Sequence, residues 1–173
     1  MTLNKIVTII FLGLAFSNVF SEEEDPYLAL GSRLMKEERI GDLRIDLPEK
    51  DVKKMVPCTL KRGPDQLWGA DGLFHQEWVY ADCGITLDMS SKKKGAPKSV
   101  ASITAIDPST LNTKRGIHVG STEQDVMKAY KPFWNKEESE QHVTFQAGSI
   151  YGGMIFNFKN GKVSQIFLGA GAE

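Results

Sequence analysis

A chain of 173 residues with 21 lysines and arginines against 22 aspartates and glutamates carries a formal charge of −1. That balance gives no overall field for nucleic acid or anionic lipid, and the length suits one compact domain with a real core.

At the start, a single basic residue, Lys5, precedes an apolar run over residues 6–16, with Val19 and Ser21 at the positions before a cut. This is the layout of a secretory signal peptide, so residues 1–21 are expected to be removed, leaving a mature chain from near Glu22. The eleven-residue apolar run is too short to cross a bilayer, which takes about 20 apolar residues. No cysteine lies near the cut to accept a lipid. In an exported chain the even pair Cys58 and Cys83 is expected to form a disulfide, closing a loop of about 26 residues and stabilising by roughly 3 to 4 kcal/mol on the chain-entropy model.

Residues 22–40 are expected to be an acidic leader followed by a short helix over 27–39, with Leu28, Leu30, Leu34 and Met35 on its docking side and Gly31 as a weak point. Leu43 and Ile45 alternate with polar residues as a short strand. Pro48 suits the first position of a helix that runs to about Val56, where Pro57 stops it and Cys58 follows. Residues 61–72, rich in Gly, Pro and Asp, form a long loop around Trp68. Strands follow over residues 74–80 and 85–89, then a basic turn at 90–97 and a third strand at 100–106. Residues 107–115 read as a connector.

Beyond it, residues 117–119 form another strand, and Ser121 with Gln124 is placed to cap a helix ended by Pro132. A charged loop at 135–141 leads to strands at 143–146, 154–158 and 163–168, the last two joined by Asn160-Gly161, whose residues tolerate the positive φ of a type I′ turn. The segment 117–130 also matches 43–56: Glu49, Asp51, Val52 and Lys54 are identical to Glu123, Asp125, Val126 and Lys128. The matching order of segments predicts an α+β fold of two tandem helix-on-antiparallel-sheet repeats, 41–106 and 116–173, in a two-layer sandwich. Thr86, Asp88, Ile155 and Asn157 would then share the sheet face away from the helices.

The stretch Ile-His-Val-Gly-Ser-Thr-Glu-Gln-Asp-Val with its helix-ending Pro132, and the strand around Trp78-Val-Tyr80, resemble the repeat unit of the β-lactamase inhibitory protein and the SmpA-type outer-membrane assembly lipoproteins. The resemblance covers most of residues 41–168. It implies an envelope or secreted protein that works by binding another protein. Three features depart from the family: Lys131 stands where a glycine is usual, there is one pair of cysteines, and the lipid-acceptor cysteine is missing.

Chemistry is sparse in the sequence. Ser90-Ser-Lys-Lys93 satisfies a Ser-x-x-Lys pattern but lies in a turn, without Ser-Asp-Asn or Lys-Thr-Gly elements. His75, His118 and His142 are scattered, so no metal or other cofactor is expected. The candidate binding residues are Trp68 and Asp71 of the long loop, with Trp78, Tyr80, Tyr151 and Phe167; Phe74 belongs to the same aromatic group. Each ring serves either core packing or recognition, and Trp68 in its Gly- and Pro-rich loop favours recognition. The sequence therefore predicts an exported, non-enzymatic binding module. It would be an inhibitor or immunity-type protein occluding an extracytoplasmic partner, or alternatively an envelope-assembly scaffold, with no nucleic acid partner and no membrane span. Mass spectrometry of the exported protein should place its amino terminus near Glu22, and intact chain recovered from cytosol would refute export.

Overall fold

The computed structural model describes residues 25–171, so the expected signal peptide and most of the expected acidic leader lie outside the described residues. Among the described residues there are three short α-helices, α1 (Pro26–Glu37), α2 (Glu49–Met55) and α3 (Glu123–Tyr130). The strands are β1 (Lys61–Arg62), β2 (Gln66–Leu67), β3 (Phe74–Tyr80), β4 (Ile85–Ser91), β5 (Ser99–Ile106), β6 (Trp134–Glu140), β7 (Thr144–Ser149), β8 (Gly152–Lys159) and β9 (Lys162–Gly169). All pair antiparallel in one nine-stranded sheet of order β1-β3-β4-β5-β9-β8-β7-β6, with β2 also on β3.

This corrects the expectation of two tandem helix-on-sheet repeats. The fold is dominated by one continuous sheet, because β5 and β9 pair with each other through Ile103↔Leu168, Thr104↔Phe167, Ala105↔Ile166 and Ile106↔Gln165. The helices are too short to form a layer of their own, at 12, 7 and 8 residues. Leu34, Val52, Val126 and Tyr130 reach from them into a single core with Trp78, Tyr80, Leu87, Ile103, Phe156 and Leu168. Burying each large side chain of this kind contributes about 1.5 to 3 kcal/mol.

Several local expectations shift for identifiable reasons. The strands expected at 43–45 and 117–119 are absent; Ile40 instead makes isolated bridges to Leu43 and Thr113, while Leu43 and Ile117 still sink into the core. The expected loop at 135–141 is largely strand β6. Pro48 is the cap of α2 rather than its first residue. In α3 the cap is Thr122: its hydroxyl accepts from the Asp125 N–H at 3.1 Å, and the Asp125 carboxylate accepts from the Thr122 N–H at 3.0 Å. Ser121 is diverted, its hydroxyl accepting from the His118 N–H. The disulfide is present as expected, joining Cys58 to Cys83 with Cα atoms 6.1 Å apart. The Asn160-Gly161 turn takes φ values of 54° and 72°.

At the sheet edges, β1 and β2 are two residues each and exposed. At the opposite edge β6 pairs with β7 through Trp134, Asn135 and Glu140, with a register break between them, and Lys136 and Glu137 are exposed.

Gly31 is explained by contact. Helix α1 runs over β7 and β8 so closely that a Cβ on Gly31 would lie 1.8 Å from the Gly152 carbonyl oxygen. Gly31→Ala should therefore destabilise by about 1 to 3 kcal/mol, outweighing its gain in helix propensity, whereas Gly69→Ala, with nothing near its Cβ, should stay within about 0.5 kcal/mol of the parent. Chemical denaturation of the pair checks this, and equal effects would refute the close approach.

Candidate functional site

Alternation along β3 sends Trp78 and Tyr80 into the core and turns His75, Glu77 and Val79 to the other side of the sheet. Across that side Val79, Thr86, Thr104, Phe167, Ile155 and Gln146 form one register-paired row, and Glu77, Asp88 and Ser102 form part of the next. Thr86, Asp88, Ile155 and Asn157 lie on this face and are half-buried.

The site is built around His75. Its Nδ1 lies 2.6 Å from Asp88 Oδ2 and its Nε2 2.9 Å from Asp71 Oδ2. Carboxylates only accept hydrogen bonds, so satisfying both contacts requires both ring N–H groups and hence the imidazolium. Burial pulls the His75 pKa down, but the hydrogen bonds to Asp88 and Asp71 outweigh it, and the net shift is upward from the ordinary 6.5. Asp71 in turn is held below the ordinary carboxylate range, first by the Leu73 N–H that its Oδ1 accepts at 2.9 Å.

Over this bracket lies Trp68, stacked on the imidazole with ring centroids 3.9 Å apart and planes 6° from parallel. The turn between β2 and β3 puts it there. Trp68 N–H donates to the Leu73 carbonyl, Gly72 N–H donates to the Trp68 carbonyl, and Gly72 adopts a φ of +71° that favours glycine. One ion pair thus fixes a loop, and the loop supplies the stacked ring.

Two hollows open beside the stack. One, of about 400 Å³, includes Gln66, Glu77, Thr86 and Thr104 in its lining. The other, of about 360 Å³, is bounded by Asp71, Asp88, Ala101, Ser102, Phe167 and Ala170. Trp68 and His75 line both, and among the described residues no lysine or arginine lines either. A larger groove of about 620 Å³ lies at another place, beside Cys83, Leu43 and Leu111, and contains none of the nominated binding residues.

Of those nominated residues, Trp68, Asp71 and Phe167 meet at the second hollow. Trp78 and Tyr80 are core residues, 0% and 1% exposed, and present no recognition surface. The Trp78 indole N–H donates to Gln76, and the Arg62 guanidinium lies 4.4 Å from its ring centroid. Tyr151 is 66% exposed in the β7–β8 turn; the neighbouring Ile150 carbonyl accepts from the Gly171 N–H, and Gly171 lines the second hollow. Phe74 is half-buried.

His75 and Asp88 escaped a reading based on motifs. The signal lay in strand parity: His75 and Asp88 both fall on the face opposite the core residues of adjacent strands. The Ser-x-x-Lys segment is organised differently from its motif. Ser91 receives the ammonium of Lys98, at 2.9 Å, and that ammonium also pairs with Asp65 at 2.8 Å. The lysine at the Ser91 hydroxyl is thus Lys98 rather than the one three residues on, and the hydroxyl donates to the Lys93 carbonyl at 2.9 Å. Among the described residues, no group of three or more His, Cys, Asp or Glu could hold a metal ion, and no helix is long and apolar enough to cross a membrane. No protein-family model, curated protein or solved structure matches this chain.

Because the folded His75 pKa is raised, its contribution to stability is fully present below the ordinary 6.5 and is lost as pH rises through the folded value. Asp71, already ionised, adds no dependence in that window. Trp68 fluorescence should report loosening of the loop over this rise, and His75→Phe should abolish the transition. A flat profile in the parent would refute the imidazolium bracket.

Proposed function

We propose that this chain is an exported, non-enzymatic module that binds another extracytoplasmic protein through the sheet face bearing Trp68, as an inhibitor or immunity-type protein occluding a partner enzyme. The observation that carries this reading is the fixed stack of Trp68 on His75 between two hollows. A large ring held rigidly at a half-buried position supplies contact area without losing much freedom on binding. The same bracket argues against catalysis here, since an imidazole engaged through both nitrogens has no lone pair to take a proton. The disulfide supports an oxidising compartment, in keeping with the expected signal peptide.

Affinity capture from the envelope fraction tests the proposal. One stoichiometric enzyme whose activity falls on binding supports it. Several membrane-assembly proteins would favour the scaffold, and turnover of a cell-wall substrate would replace both. With the partner in hand, Trp68→Ala should weaken binding by about 2 kcal/mol or more, the range of an interface hot spot. Tyr151→Ala should cost less, because Tyr151 is largely exposed and lines neither hollow. Unchanged affinity in Trp68→Ala would move the interface elsewhere.

A further inference from the structure

We propose that the first hollow, beside Gln66 and Glu77, binds a neutral saccharide, an inference that stands apart from the protein-binding reading above. The floor of this hollow is a patch of hydroxyls. Thr86 and Thr104 face each other across β4 and β5, and Ser102 lies opposite Asp88 on the same face. All three are half-buried, and among the described residues none of their hydroxyls has a hydrogen-bond partner. The wall over them is pinned in place. Gly63 N–H donates to the Glu77 carbonyl at 2.8 Å, and Gln76 Nε2 donates to the Gly63 carbonyl at 3.0 Å. Gln66 and Glu77 stand exposed at the mouth, and among the described residues neither side chain enters an ion pair or hydrogen bond.

These groups select a ligand by their donor and acceptor types. Each hydroxyl donates once and accepts twice, the Gln66 amide does both, and the Glu77 carboxylate only accepts. A ligand rich in hydroxyls, which themselves donate and accept, can satisfy all of them. Trp68 adds an aromatic wall, with one face on the His75 imidazole and the opposite face left for the apolar C–H side of a sugar ring. Other classes match less well. An anion finds no lysine or arginine in the lining among the described residues. His75 and Asp88 are committed to the bracket, Asp88 with a further contact besides, so a cation meets Glu77 alone. A wholly apolar ligand would strip water from three hydroxyls and give nothing back. The volume of about 400 Å³ lies at the small end for ligand sites, which suits one or two sugar rings.

The test uses the purified protein, with maltotriose, cellotriose and tri-N-acetylchitotriose titrated in turn while amide and indole resonances are followed by NMR. At least one should give saturable shifts at the Trp68 indole and the Thr86 and Thr104 amides, with a dissociation constant on the order of millimolar. Its permethylated form, which keeps the ring and loses the hydroxyl donors, should bind at least about tenfold more weakly. Thr104→Val, which keeps the β-branched shape, should weaken the sugar at least about threefold, and Ser102→Ala should act in the same direction. Resonances remote from the hollow should stay unmoved in both variants. No saturable shift with any of the three sugars, equal binding of the permethylated form, or indifference to both substitutions overturns the inference. Those failures leave protein binding to its own capture test, whereas saccharide binding with no captured partner would sink the protein-binding reading alone.

Discussion

The pairing of β5 with β9 is the constraint on which the rest depends. It sets residues 103–106 beside 165–168, far apart in the chain, and gives Ile103, Ala105, Ile166 and Leu168 one continuous core face. The other faces of the same strands carry Ala101, Ser102 and Thr104 next to Phe167. Separate those strands and the floor of the second hollow loses its far wall. A long-range pairing of this kind must offset a large loop-closure cost, which the shared apolar face does.

Much of the fold was legible where the information is local. Asn160-Gly161 marked its hairpin, the period-2 pattern marked β3, β4 and β9 within a residue or two, and Pro57 with Cys58 and Cys83 marked where α2 ends and is tied down. The joining of the halves was not legible, because nothing within β5 or β9 names its neighbour. Strand β6 was hidden by Lys136, Glu137 and Glu138, whose charges suit a loop as readily as an exposed edge. Gly31 read as a defect in a helix, and only the backbone of β8 beneath it gives the reason for it.

The candidate site was legible by halves. Trp68 stood out because a Gly- and Pro-rich loop is a poor place to bury a ring, and Asp71 was named from the same loop. Trp78, whose ring suited core packing or recognition, lies under the Arg62 guanidinium in the core, a contact set by the pairing of β1 with β3. His75 was passed over because its partners come from a loop and a neighbouring strand rather than from a motif. Burying a charged imidazole costs several kcal/mol of solvation, and two carboxylates at hydrogen-bond distance offset that cost. The result is a site whose rigidity comes from electrostatics, set on a sheet whose rigidity comes from packing.

The two sheet edges bear on how such a protein avoids association with copies of itself. A broad antiparallel sheet invites polymerisation, since any chain with a bare strand can continue it. Here one end stops in strands of two residues, and the other stops in a strand that breaks register and displays Lys136 and Glu137. Backbone addition is discouraged at both ends, so the broad face is left to meet other molecules through side chains alone. Selectivity among them then rests on what those side chains distinguish, and fibril growth is resisted by the form of the edges themselves.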